Sequence, residues 1–160
     1  MHIIAAKAIA FGEALTPEFQ RYSRQILKNA KAMEGVFRRH NIRLLTGGTD
    51  NHLLLADVWG SLGISGKEAQ TVLDEVGITL NMNAIADDTR KPMDPSGIRF
   101  GTPAITTRGF TEEASTLVAE YMIDAMKNRD NLDKKSEIRE KVRQLAEKYP
   151  IPDSFISTVI

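Results

Sequence analysis

The stretch Ile42-Arg43-Leu44-Leu45-Thr46-Gly47-Gly48-Thr49-Asp50-Asn51-His52-Leu53-Leu54-Leu55-Ala56-Asp57-Val58 decides the fold class. Two short apolar runs, Ile42 to Thr46 and Leu53 to Val58, flank six residues rich in Gly, Asp and Asn. Runs of this length bounded by turn formers read as strands. Upstream, Thr16-Pro17-Glu18 offers a hydroxyl N-cap, a first-turn proline and an acid near the positive end of the helix dipole. Phe19, Tyr22, Ile26, Ala30, Met33 and Phe37 then recur at three- and four-residue steps, which predicts an amphipathic helix to about His40. Ahead of it, Ile3 to Leu15 is apolar nearly all round, so most of its surface needs cover.

Downstream, Ser65-Gly66-Lys67-Glu68 fits a capping box, followed by the stripe Ala69, Val72, Leu73 and Val76 and a stop at Gly77. Ile78 to Leu80 reads as a strand, and Asn81 to Gly97, with two prolines, as a long loop of the kind that carries function. Ile98-Arg99-Phe100 returns as a short strand. Thr102-Pro103 opens a brief helix that Gly109 ends, Thr111 caps a longer one, and a last helix carrying Ile138, Val142 and Leu145 stops at Pro150. The pattern predicts an α/β arrangement in which helices cover a small, mostly antiparallel sheet.

The 160 residues suit one domain of ordinary size, and 42% hydrophobic with 26% charged residues excludes a fibrous or wholly disordered chain. The absence of cysteine excludes a disulfide framework, a thiolate-held metal and thiol catalysis. No apolar run approaches the roughly 20 residues of a membrane span, and the first residues lack a signal-peptide pattern, so a cytoplasmic chain without membrane partners is expected. Zero net charge hides asymmetry. Between Glu18 and Arg43 seven basic side chains face two acids, whereas from Asp50 to Asp88 one lysine faces seven acids. Nucleic acid would be attracted by the first stretch and repelled by the second, so it is not an expected partner. The basic run reads as the solvated side of a helix, or as the binding face of a non-catalytic interaction module.

Generic motifs contribute little. Gly66-Lys67 is no phosphate loop, since Ser61 stands at the earlier glycine position and Glu68 where a hydroxyl is required. His2, His40 and His52 lack metal-ligand spacing, and no metal site is expected. Asp50 and His52, two residues apart, suit a proton relay or a turn held by their bonds to backbone. Arg99, between Ile98 and Phe100, is expected in an apolar setting. Its planar fork then requires a carboxylate, either from a substrate or from an internal acid. Asn83 can both donate and accept, as recognition of a heterocycle edge requires; a plain turn asparagine is the other reading.

Several blocks together resemble serine hydroxymethyltransferase: Ala5-Ala6-Lys7-Ala8-Ile9-Ala10-Phe11-Gly12-Glu13-Ala14-Leu15, Gly47-Gly48-Thr49-Asp50-Asn51-His52-Leu53, Gly66-Lys67-Glu68-Ala69, Ser96-Gly97-Ile98-Arg99-Phe100-Gly101-Thr102-Pro103-Ala104 and Thr106-Thr107-Arg108-Gly109-Phe110. They follow family order to about Asn128. The resemblance implies a pyridoxal-phosphate enzyme that moves the hydroxymethyl carbon of serine to tetrahydrofolate, giving glycine and methylenetetrahydrofolate, and that works as a homodimer. It implies Arg99 as the grip on the substrate carboxylate and Asn83 as a hydrogen-bonding partner of the folate pterin, with residues 84 to 95 bordering that site. Ala86 and Thr89 stand where the family usually has proline, and Met93 where it has phenylalanine, which implies a less rigid loop.

No segment here resembles the family's Schiff-base lysine motif. The expectation is therefore a C-terminal portion of the enzyme: 1–41 as helices from the end of the large cofactor domain, 42–149 as the small domain and 150–160 as a tail. Such a chain is expected to have no catalytic residue of its own, to bind no pyridoxal phosphate and to be inactive alone.

Overall fold

The helical and strand patterns assemble into an antiparallel sheet with its helices gathered on one face. The structure, a computed structural model, describes residues 1–152; the rest of the expected tail, 153–160, lies outside the described residues. The elements are α1 (His2–Ala14), α2 (Pro17–Arg39), β1 (Arg43–Leu44), a 3-10 turn (Leu45–Gly47), β2 (Leu53–Asp57), α3 (Val58–Leu62) and α4 (Gly66–Glu75). After them come β3 (Asn81–Asn83), β4 (Gly97–Gly101), α5 (Pro103–Thr107), α6 (Glu112–Lys127) and α7 (Leu132–Lys148). The strands stand in the order β1-β2-β4-β3, every pair antiparallel, which is the small helix-covered sheet that the sequence pattern predicts.

The helix starts are made by the capping side chains. Thr16 Oγ1 accepts from Phe19 N at 3.2 Å and Ser65 Oγ from Glu68 N at 3.1 Å. Each such cap is worth about 1 kcal/mol. Three strand expectations shift. β1 keeps only two residues, because the chain turns into the left-handed region at Thr46 (φ 60°) and Gly47 (φ 74°). Asp57 ends β2 by capping α3, accepting from Gly60 N at 2.8 Å, so Val58 is helical. Ile78 to Leu80 is not a strand: Gly77, at φ 84°, closes α4 in a Schellman motif whose Ile78 N bonds Leu73 O at 2.8 Å. The strand falls one step later, at Asn81–Asn83, inside the expected loop.

Strand alternation sorts the two faces of the sheet. Leu44, Leu54, Ala56, Ile98 and Phe100 point inward and pack on α2, α4 and α6. Phe37 of α2 meets Phe100 of β4 with ring centroids 5.1 Å apart. Ala30, Met33 and Val36 of α2 share this core with Met122, Ile123 and Met126 of α6, so residues on both sides of position 41 are buried together. A buried amide ties the layers: Asn29 Nδ2 donates to Thr106 Oγ1 and Phe110 O, both at 2.9 Å.

Two features of the sequence separate here. The basic run of α2 is largely neutralised, by Glu18 (Arg21, 2.7 Å), Glu112 (Lys28, 3.8 Å), Glu34 (Arg38, 2.9 Å) and Glu120 (Arg39, 3.1 Å). Helix α1, by contrast, has no buried residue among the described residues: Ile3, Ile9 and Phe11 are 60%, 65% and 67% exposed. No helix is long and apolar enough to cross a membrane among the described residues.

Candidate functional site

The outer face of the sheet carries Leu53 and Leu55 from β2, Asn81 and Asn83 from β3, and Gly97, Arg99 and Gly101 from β4. The register sets Arg99 between Leu55 and Asn81, and Gly97 between Asp57 and Asn83. Directly opposed residues on one face have Cβ atoms roughly 4.5–5.5 Å apart, so Asn81 flanks the Arg99 stem and Asn83 stands one pair further along. The expected apolar setting of Arg99 is corrected. Its neighbours Ile98 and Phe100 turn into the core, and alternation turns Arg99 out to solvent. Among the described residues no carboxylate lies within ion-pair distance of it, so an internal acid does not occupy the fork. The ladder bonds to β2 and β3 fix the backbone of Arg99, and its planar guanidinium presents a fork of N–H donors to solvent.

Asn83 is half-buried at the end of β3, and its Nδ2 donates to Ala84 O at 2.6 Å. That bond leaves Oδ1 and the second amide proton for a ligand. The loop that follows is closely tied. Asp88 accepts from Ser96 N at 2.9 Å, Ser96 Oγ at 2.7 Å, Arg90 N at 2.9 Å and Ile85 N at 3.2 Å. These donors, the backbone N–H of Ser96 foremost, hold its carboxyl far below the usual carboxylate range. Arg90 lies 4.0 Å over the Trp59 ring and pairs with Asp94. The looseness implied by the missing prolines is thus offset by a hydrogen-bonded frame.

The Gly47-Gly48-Thr49 turn is held from outside itself. Glu34 of α2, its side chain only 8% exposed, accepts from Thr49 N at 2.9 Å and pairs with Lys31 at 3.0 Å and Arg38 at 2.9 Å. Burial pushes its pKa up, but the Thr49 N–H and the two cations outweigh burial and leave it lowered. Gly48, at φ 149°, passes so close that a Cβ would stand 2.6 Å from Glu34 Oε1. Only glycine fits, which gives the motif a physical cause. Thr49 and Asn51 bond the rest of the turn: Asn51 Oδ1 takes Leu53 N at 2.7 Å.

Asp50 and His52 are both exposed and do not bond each other among the described residues; Asp50 lies 3.8 Å from Lys31. They border one shallow groove of about 330 Å³ with Ile26, Leu27 and Pro103. The structure thus brings Arg99 and Asn83 together on one face and sets Asp50 and His52 at a separate groove. Asp88, Ile85, Asn81 and Glu34 were not singled out by sequence. The first two bond or pack through backbone geometry that no residue pattern announces.

No lysine stands on any strand of the sheet. Lys7 is on the uncovered α1 and Lys67 in the first turn of α4. The model of the family described as serine hydroxymethyltransferase matches residues 1–122, a span that runs from α1 into α6 and includes all four strands. The chain belongs to that family.

Proposed function

We propose that this member of the serine hydroxymethyltransferase family contributes the substrate-holding face of an enzyme that transfers the hydroxymethyl carbon of serine to tetrahydrofolate, yielding glycine and 5,10-methylenetetrahydrofolate. The observation that carries the reading is the shared outer face of β3 and β4, where, among the described residues, Arg99 has no acid in its fork and Asn83 keeps a free acceptor and donor. Arg99 grips the amino-acid carboxylate with two parallel N–H bonds and so fixes the orientation of the bond to be broken. Asn83 hydrogen-bonds the pterin edge of tetrahydrofolate, and the 84–96 loop borders it. Pyridoxal phosphate supplies the electron sink in this reaction and is held by residues outside this face.

The same reading assigns residues 1–41 to the end of a large domain and a homodimer to the complete enzyme, in the cytoplasm. The uncovered α1 supports the first assignment. The 160-residue chain alone is inactive in this proposal, because its sheet offers no amine. Mixing it with pyridoxal phosphate and reducing with borohydride tests that claim: an unlabelled chain is expected, and stoichiometric labelling of one lysine overturns it. In the complete enzyme Arg99→Lys removes the fork and is expected to abolish serine turnover, while near-normal kinetics in that variant end the role of Arg99.

A further inference from the structure

Gly97 lies on the outer face two residues before Arg99, and a Cβ there would stand 2.7 Å from Ile85 Cγ2. Ile85 therefore folds back across the sheet and covers Gly97 on the same side as Arg99. Its backbone N–H is one of the four donors to Asp88. Two of the others come from Ser96, the residue that leads into β4 beside Gly97. One carboxylate thus clamps the exit of β3 to the entry of β4, at the pair Asn83 and Gly97. The groups facing Asp88 are all N–H and O–H donors.

We propose that Asp88 is a positioning residue for this face: it holds Ile85 over Gly97 as an apolar wall beside Arg99 and keeps the Asn83 amide in place for the folate ring. Asp88 touches no ligand in this arrangement. The proposal rests on the folate reading of Asn83, and the experiment separates the two.

Asp88→Asn replaces two acceptor oxygens with one and turns an NH2 group toward N–H donors, so the clamp cannot be kept whole. Two signals in the 160-residue chain report on the loop. Trypsin cuts after Arg90 only when its guanidinium leaves Trp59 and Asp94, and Trp59 is the single tryptophan. Losing charge-assisted bonds raises the open population by about tenfold or more, and cleavage follows that population. Asp88→Asn is thus expected to be cut about tenfold faster at Arg90, with a shifted Trp59 emission and weaker tetrahydrofolate binding followed at the Asn83 side-chain amide by NMR.

Wild-type protection and emission in Asp88→Asn overturn the proposal, as does unchanged tetrahydrofolate affinity with an opened loop. Ile85→Ala leaves every bond to Asp88 intact and removes only the wall. It is expected to keep the loop protected yet weaken tetrahydrofolate by about fivefold to tenfold. Unchanged affinity there overturns the wall even if Asp88→Asn does not fold. No response of wild-type Asn83 to tetrahydrofolate removes the folate reading instead, while cleavage and emission still decide whether Asp88 positions the loop.

Discussion

Two loops adjoin the sheet, and each is organised by a single carboxylate, but the carboxylates come from different places. In Gly47–His52 the anion is Glu34, contributed by α2, buried and flanked by Lys31 and Arg38. In the 84–96 loop it is Asp88, from within the loop, with backbone and hydroxyl donors and no cation bonded to it. The first arrangement docks a loop onto the core, so its loss is felt by the whole fold. The second ties a loop to itself, so its loss is felt where the loop meets the sheet. The difference teaches that a loop's stability and its availability to function are set by where its anion is rooted.

The largest effect that tests this contrast belongs to Glu34→Ala. Lys31 and Arg38 are more than half exposed and regain water cheaply, so their loss of a partner costs little. Thr49 N–H, buried and left without an acceptor, costs about 1–3 kcal/mol, and the emptied space adds to it. Chemical denaturation should show a global loss of about 2–4 kcal/mol. A loss confined to hydrogen exchange of Gly47–His52, with an unchanged global midpoint, would show that Glu34 is rooted no more deeply than Asp88.

The same contrast separates what residue periodicity specifies from what only the assembled fold supplies. The capped helices and the inward stripe of Ile98 and Phe100 rest on periodicity, which the sequence carries in full. For Arg99 the apolar neighbours mislead: in a strand they occupy the opposite face, and only the helices on one side of the sheet decide which face is wet. Glu34 looked like one more acid in a helical charge ladder, since Lys31 and Arg38 stand three and four residues away. Its burial comes from a glycine turn that lands on it 14 residues later. Asp88 gave no signal at all, because three of its four donors are backbone N–H groups that almost any residue supplies. The family resemblance implies separate roles for Arg99 and Asn83, and the register alone sets the two on one face.

Acid sharpens the comparison next. Both carboxyls have lowered pKa values, so their contributions are complete above the ordinary carboxylate values of about 4 and are lost as pH falls through the lower folded values. Denaturation midpoints should hold from neutral pH down to about 4 and fall below it. Glu34→Gln should flatten part of that fall, since the group that must be protonated is gone. Asp88→Asn should flatten the acid response of Trp59 emission while leaving most of the global curve as it was. Identical acid curves for the two variants would erase the distinction between a docked and a self-tied loop.

The smallest effect is expected at Asp50, and it is informative because Asp50 is the Gly47–His52 loop's own acid, the positional counterpart of Asp88. Its side chain is wholly exposed, and its nearest cation, Lys31 at 3.8 Å, is already committed to Glu34 at 3.0 Å. Solvent screens an exposed pair of that length almost completely. The turn is held by Thr49 and Asn51 instead, and neither bonds Asp50 among the described residues. Asp50→Asn should therefore leave both the denaturation midpoint and the exchange rates of Gly47–His52 unchanged, under the same conditions in which Asp88→Asn opens its loop. A loss of protection in Asp50→Asn comparable to that of Asp88→Asn would mean that each loop is held by its own acid. The burial of Glu34 would then have to be explained by its ion pairs alone.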